Sequence, residues 1–409
     1  MRSRRAFALG LAVLLAASAA EAQQPVESPA PDAAAARAAR APAQDPERQD
    51  EGFVDRARRW VERSQIIERL TGEVDGWYPR LGGMTRGSGF ALGPGYRTHL
   101  GGVLVDLSAG LSIRRYKALD AKVRWVSAFD ERLEVWTNYR FEDFPQEDFF
   151  GLGLDSAAAW RTSYDFDSSE VTVHGLVRPL PWLRAGTIVG YMSPEIGPGT
   201  DDRYPSIEQL FTDAEAPGLA AQPDFLHTTL FADVDYLDEP GNPRRGGHYR
   251  VSLGIWDDRT LQQFDFRRFE GVLEQFVPLG ASRSHVLSGR LGFAYVNNET
   301  GERVPFYFLP YIGGVDTVRS FREFRFKHEN ALWTTIEYRW IPFKYFSAAA
   351  FVDAGKVAAD WQDITFGGMK TGYGFGLRVH TRTQTFARVD VGTGGGEGWQ
   401  VFVKLGPRF

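Results

Sequence analysis

The chain has 409 residues, a net charge of −5 at neutral pH and no cysteine. That charge argues against a nucleic-acid partner, and the lack of thiols suits a chain that crosses an oxidising compartment before folding. Its 44 glycines, 30 phenylalanines, 15 tyrosines and 11 tryptophans exceed the usage of an ordinary soluble chain and match a membrane barrel, with aromatics on the lipid face and glycines inside and at turns.

Arg2, Arg4 and Arg5, the apolar run Ala6 to Ala17 and the small-x-small site Ala20-Glu21-Ala22 have the layout of a secretory signal peptide, so residues 1–22 are set aside. Beyond them no stretch of about 18 uninterrupted apolar residues exists, which excludes a membrane-spanning helix. Residues 23–50, rich in Ala, Pro and Gln without periodicity, form a disordered linker. In 51–72, Phe53, Ala57, Trp60, Val61, Ile67 and Leu70 recur at helical spacing among Arg and Glu, predicting one amphipathic helix, periplasmic or lumenal. Resting against its own barrel, plugging the lumen, lying on a membrane and docking a partner are all open to it.

From residue 80 to 409 the period becomes two. Tyr249, Val251, Leu253 and Ile255 alternate with polar residues or glycine, as do Ile336, Tyr338 and Trp340, and then Tyr373, Phe375, Leu377 and Val379. Trp399, Val401, Val403, Leu405 and Phe409 share the last apolar face, the expected assembly signal of the C-terminus. Runs of about ten residues fit tilted strands crossing a bilayer. The fold class is therefore all-β, a transmembrane antiparallel barrel of sixteen strands. Strands are expected to start near 85, 102, 115, 131, 158, 169, 182, 225, 246, 262, 283, 328, 344, 370, 384 and 397. Turns at 179–182, 238–246, 278–283 and 341–344 then face the periplasm, and the long connections 193–224 and 298–327 the outside. The segments 127–131 and 144–157 break this parity.

Gly313-Gly314-Val315-Asp316-Thr317-Val318-Arg319-Ser320-Phe321, followed by Ile336-Glu337-Tyr338-Arg339, Phe351-Val352-Asp353-Ala354-Gly355 and the terminal Phe409, resembles the BamA/TamA superfamily of outer-membrane assembly and secretion barrels, also called the bacterial surface antigen domain family. Pro145 to Gly153 is similar to that family too, and the resemblance spans roughly 80–409. It implies that loop 298–327 folds back into the lumen with Arg319 meeting Glu337 and Asp353 on the wall. Our alternation independently turns both acids inward. Ser320 stands where the family has glycine, which predicts backbone strain there. The family usually carries periplasmic POTRA repeats; residues 23–80 offer only a linker and a helix, so the chain looks like a repeat-less member.

Three functions follow as expectations. The expected seam joins a first strand holding Gly87, Gly89, Gly93, Pro94 and Gly95 to a last strand ending Gly406-Pro407; such residues pair poorly, so the seam could open to a client strand. The alternatives are a passive or partner-gated pore and, least favoured, an embedded enzyme. The seven histidines are scattered, and no Gly-x-Ser-x-Gly elbow or His-Glu-x-x-His helix occurs, so no catalytic, metal or cofactor site is expected. Expected partners are outer-membrane lipid, the barrel-assembly machinery for its own insertion, client proteins and, as a candidate, a separate periplasmic protein, with no nucleic acid.

Overall fold

The computed structural model describes residues 75–405, except 83, 85–87, 129–131, 240, 299–301 and 381–384. The signal peptide, the linker and the helix expected at 51–72 lie outside the described residues, as do Gly87, Gly406, Pro407 and Phe409.

The strands are β1 Gly76–Gly82, β2 Ala91–Leu100, β3 Val103–Ser112, β4 Lys117–Ala128, β5 Leu133–Phe149, β6 Thr162–Leu180, β7 Leu183–Pro198, β8 Phe225–Asp235 and β9 Gly246–Asp258. They continue as β10 Phe266–Pro278, β11 His285–Asn298, β12 Tyr311–Ile312, β13 Phe326–Lys327, β14 Asn330–Phe343, β15 Phe346–Ala358, β16 Lys370–His380, β17 Thr385–Thr393 and β18 Gln400–Leu405. All but β12 and β13 form one 16-stranded antiparallel sheet in which each strand pairs with its sequence neighbours, while β12 and β13 pair with each other. The ends β1 and β18 approach one another, but no ladder joins them among the described residues. The result is an all-β, nearly closed barrel.

The alternation sorts side chains between lipid and lumen. Along β16, Tyr373, Phe375 and Leu377 are exposed on the outside, while Gly372, Gly376, Arg378 and His380 are buried. On β14 and β15, Ile336 and Val352 face out, whereas Glu337 and Asp353 are buried within.

The strand count of sixteen holds, but through two offsetting corrections. The sequence hides β1, whose Gly-Trp-Tyr-Pro-Arg-Leu-Gly carries a proline and two glycines in seven residues. It also splits β6, a single strand of 19 residues, into two. The reason for the split is a reversal of polarity. In the lower part Val171, Val173 and Val177 face out. In the upper part Tyr164 is buried inside, while Asp165 and Asp167 share the outward face of the valines. Above the hydrocarbon the outer face meets water and the inner face packs on loops, so the pattern flips without a break in the strand. With both corrections every odd-to-even connection falls at one end of the barrel and every even-to-odd connection at the other. The misfit at 127–131 and 144–157 disappears.

Candidate functional site

The connection from β11 to β14 turns into the barrel. Its β12–β13 ladder pairs Tyr311 with Lys327 and Ile312 with Phe326. The segment between them is tightened by Gly313 and Gly314, both with φ near +100° (114° and 94°), a region open to glycine alone at low cost. The Thr317 hydroxyl accepts from the Gly313 N–H (2.9 Å) and donates to its carbonyl (2.8 Å). Val318 and Phe321 pack with Ile312, Phe326, Ala331, Trp333 and Val357, a small core inside the wall. Burying those side chains holds the turn down and aims Arg319 at the strands.

Arg319 is 3% exposed in its side chain and grips two strands at once. Its backbone N–H (3.0 Å), Nε (2.9 Å) and Nη2 (2.8 Å) donate to the two oxygens of Asp353, and Nη1 donates to Glu337 Oε2 (2.9 Å). The guanidinium lies over the Phe351 ring at 3.3 Å, combining charge with a stacked face. Asp353 also accepts from Thr335 Oγ1 (2.8 Å). Glu337 takes further bonds from Arg339 Nε (2.7 Å) and Arg378 Nη2 (2.9 Å). The sequence reading identified Arg319, Glu337 and Asp353, and the structure brings them together. It missed Asp390, which is fully buried, ion-paired to Arg388 and 3.8 Å from Arg319 Nη1. Only the alternation of β17 could have pointed to it.

Three wall glycines make room for this contact, a role that the sequence reading gave to none of them. A Cβ on Gly355 of β15 would lie 2.8 Å from Val318 Cγ2. On Gly372 of β16 it would meet the Ser320 hydroxyl, and on Gly392 of β17 the Arg319 carbonyl. The motif rests in a notch cut across three adjacent strands. The strain expected at Ser320 does not arise, because its φ is not positive; the bulk of the serine is taken up by Gly372. Its Oγ is buried with no hydrogen-bond partner among the described residues. Ser320→Ala should therefore raise the urea midpoint, by about 1 kcal/mol of unfolding free energy, with the loop unmoved. A lower midpoint would show that the hydroxyl is bonded after all.

A second arginine pins the same loop elsewhere. Arg325 donates to Glu397 in the β17–β18 hairpin (2.6 Å) and to the hydroxyl and carbonyl of Ser156 (3.0 and 2.7 Å) in the β5–β6 connection. It also lies over the Phe150 ring. Leu152 forms a bridge with Lys327, so the family-like segment 145–153 ends against the inward loop. Burial away from water pushes the Lys327 ammonium down to about 8. Above this, Phe149, Tyr164, Ile207, Phe211, Phe225, Phe264 and Phe306 form an apolar core between the long connections.

The seam residues are placed differently from expectation. Gly93, Pro94 and Gly95 lie in β2, paired to Arg80, Pro79 and Tyr78 of β1, so they are not at the edge. Gly89 is in the β1–β2 connection with φ +75°. The edge is β1, which carries Pro79 directly opposite Pro94. On the other side, Trp399, Val401 and Val403 are exposed on the outer face as the alternation implied. Leu405 ends β18, and nothing beyond it is described.

Several of the remaining polar groups pair with one another. His227 bonds Glu170 (2.9 Å), and Asp233 takes Arg250 (3.2 Å). His380 bonds Ser347 (2.7 Å), but its second nitrogen meets the Thr385 hydroxyl, not an orienting carboxylate. A cavity of about 290 Å³ lies between the loop and the β9–β11 wall, lined by Arg250, Arg268, Arg290, Tyr311, Asp316 and Trp333. Its three arginines are already engaged by Asp233, Glu270 and Glu274.

Comparison with known proteins agrees with this geometry. Residues 219–393 match the Omp85 superfamily domain. BamA from Haemophilus ducreyi lacking POTRA domains 1–3 superposes with a TM-score of 0.62 at 13% identity, covering 82% of this chain and 71% of that one. CdiB from Acinetobacter baumannii gives 0.48 at 12% identity, covering 80% of this chain and 58% of the other, and CdiB from Escherichia coli gives 0.48 at 13%, with 80% and 59% covered. Likeness at such identities speaks to the fold alone, and the two weaker superpositions carry no argument. No curated protein sequence matches the chain. An inward loop anchored by a buried arginine, a sixteen-stranded wall whose ends share no ladder among the described residues and the match over 219–393 converge: the chain has the fold of an outer-membrane β-barrel similar to that of BamA, and its residues 219–393 match the Omp85 superfamily domain.

Proposed function

We propose that this barrel inserts or translocates other proteins by opening between β1 and β18, with its long connections outside the cell and its short turns in the periplasm. The observation that carries this reading is the unpaired seam. Every other junction of the wall is a hydrogen-bonded ladder, whereas β1 and β18 share none among the described residues. The edges are short as well: seven residues in β1 and six in the described β18, against 19 in β6. Each absent bond removes about 1 kcal/mol of net closure, and an unpaired edge is a template for a client strand. Pro79, which has no N–H, leaves this edge strand one donor short. A steady pore is disfavoured, since the inward loop and the apolar core above it occupy the lumen. We read the protein as non-enzymatic on the strength of its match to the Omp85 superfamily domain; among the described residues no histidine or serine meets a base and an acid in the triad arrangement. Client proteins, the machinery that inserts the barrel and a separate periplasmic partner belong to this reading.

The test is a seam lock. Leu81→Cys on β1, combined with Val401→Cys or Val403→Cys on β18, gives disulfide candidates on the outer face in a chain with no cysteine of its own. Oxidation is expected to stop client assembly in cells and reduction to restore it. If the locked barrel works normally, the lateral route is wrong.

A further inference from the structure

We propose that the described residues of the β8–β9 turn, 236–239 and 241–245, form a strap that closes the short-turn mouth of the barrel and holds the seam side shut from below. It rests on the reading that the seam moves, but its first measurement does not.

The turn is longer than a hairpin needs, and it is built to keep one shape. The Asp238 carboxylate accepts from the N–H groups of Glu239 (3.0 Å), Arg244 (2.9 Å) and Arg245 (3.0 Å). The Asp238 N–H donates to the Arg245 carbonyl (3.1 Å), and Asn242 N–H to Glu239 (3.0 Å). A carboxylate taking three backbone donors fixes a loop much as an Asx-turn does.

The fixed turn points into the barrel. Leu237 packs on Phe276, Val286 and Ile341, inward residues of β10, β11 and β14 at the short-turn end. Asn242, at the tip, is 8% exposed, a high burial for a polar residue in a turn. The tip is tied to a strand six places round the wall. The Gly241 carbonyl accepts from the Thr385 N–H (3.0 Å) and from the Thr385 hydroxyl (3.2 Å). Thr385 opens β17, the neighbour of the seam strand β18. The same hydroxyl meets His380 Nδ1 (3.1 Å), whose Nε2 meets Ser347 Oγ (2.7 Å). One chain of contacts thus runs from the β8–β9 side to β17, β16 and β15. Swinging β17 and β18 outward would part Thr385 from Gly241, so opening the seam and uncovering the mouth become one event.

Two substitutions release the strap. Leu237→Asp makes its apolar seat unfavourable, and Thr385→Pro removes the N–H and the hydroxyl together at a strand's first residue, where proline is tolerated. The reporter is Ala349→Cys on β15, which faces inward and is 5% exposed. A sulfonate-bearing thiol reagent applied from the short-turn side should label it roughly tenfold faster in either released variant than in the otherwise unchanged protein. Equal rates overturn the closure. Spin labels at Leu81→Cys and Val403→Cys then read the seam, and their distance distribution should broaden when the strap is released. A distribution unchanged beside fast labelling overturns the coupling and leaves a mouth cover alone. If the released variants do not fold, Gly241→Cys with Thr385→Cys replaces them: the disulfide should form on oxidation, and the oxidised barrel should show lower planar-bilayer conductance than the reduced one. Failure to cross-link, or identical conductance, overturns the strap. A seam lock that leaves client assembly intact would sink the lateral route without touching the labelling result.

Discussion

Arg319→Ala should destabilise the folded barrel by about 3–5 kcal/mol, the usual cost of leaving buried charges uncompensated. Asp353 would lose two donors and Glu337 one, in a site where the side chains are no more than 5% exposed. The backbone N–H of residue 319 would survive the change but would have to hold the loop unaided. The measurement is the temperature at which the compact, fast-migrating form is lost on a gel, together with the urea midpoint. Arg319→Lys should recover less than half of the loss, because an ammonium cannot make the fork to Asp353 and the reach to Glu337 together. A double substitution with Asp353→Ala should cost less than the two single changes added, since each alone strands the other's charge. An Arg319→Ala barrel with unchanged melting would mean that the loop is held by Val318, Phe321 and Arg325 alone.

Gly392→Ala is expected to be the most damaging single-methyl change among the three glycines of the notch. The added carbon would collide with the Arg319 carbonyl and come within 3.1 Å of the Ser320 nitrogen, both backbone atoms that no rotamer can move. Overpacking costs about 1–3 kcal/mol, and withdrawing the loop adds the loss of the arginine contacts. Gly355→Ala is the graded control. Its nearest neighbour is a methyl of Val318 at 2.8 Å, which can turn aside. The expected order of melting temperatures is wild type, then Gly355→Ala, then Gly392→Ala. Equal stability of the two variants would show that the loop is not seated on β17. Trypsin cleavage after Arg319 or Arg325 should appear in the Gly392 variant and not in the Gly355 one.

What the sequence revealed follows from what carries a local signal. Alternation survives wherever one face meets lipid, so Ile336 against Glu337 and Val352 against Asp353 were legible, and the arginine of the loop motif supplied their partner. Strand β1 was not, because Pro79 and two glycines erase the pattern in a strand of seven residues. Its loss moved the seam one strand inward and assigned Gly93, Pro94 and Gly95 to an edge that they do not occupy. The split of β6 had the opposite origin: a full pattern whose sign changes at the membrane boundary. Asp390, the glycine notch and Arg325 depend on which strands the loop crosses, and that is fixed by packing over more than 70 residues of sequence. No window of neighbouring residues contains it. The strap was visible only as a Pro- and Gly-containing turn, since the bond from Thr385 to Gly241 spans 144 positions.

The reversal of polarity in β6 also fixes how deep the molecule floats. Asp143, Asp167 and Glu195 stand side by side on β5, β6 and β7, with Asp165 one step above. A charge pressed into hydrocarbon costs about 2–4 kcal/mol at midplane and little at the rim, so this row acts as a waterline on that flank. The flank cannot sink past it, and the upper turns of β5 to β7 must stand clear of the bilayer as a rigid collar. Substituting these acids by leucine would let that side settle deeper and tilt the whole cylinder, without disturbing one contact in its lumen.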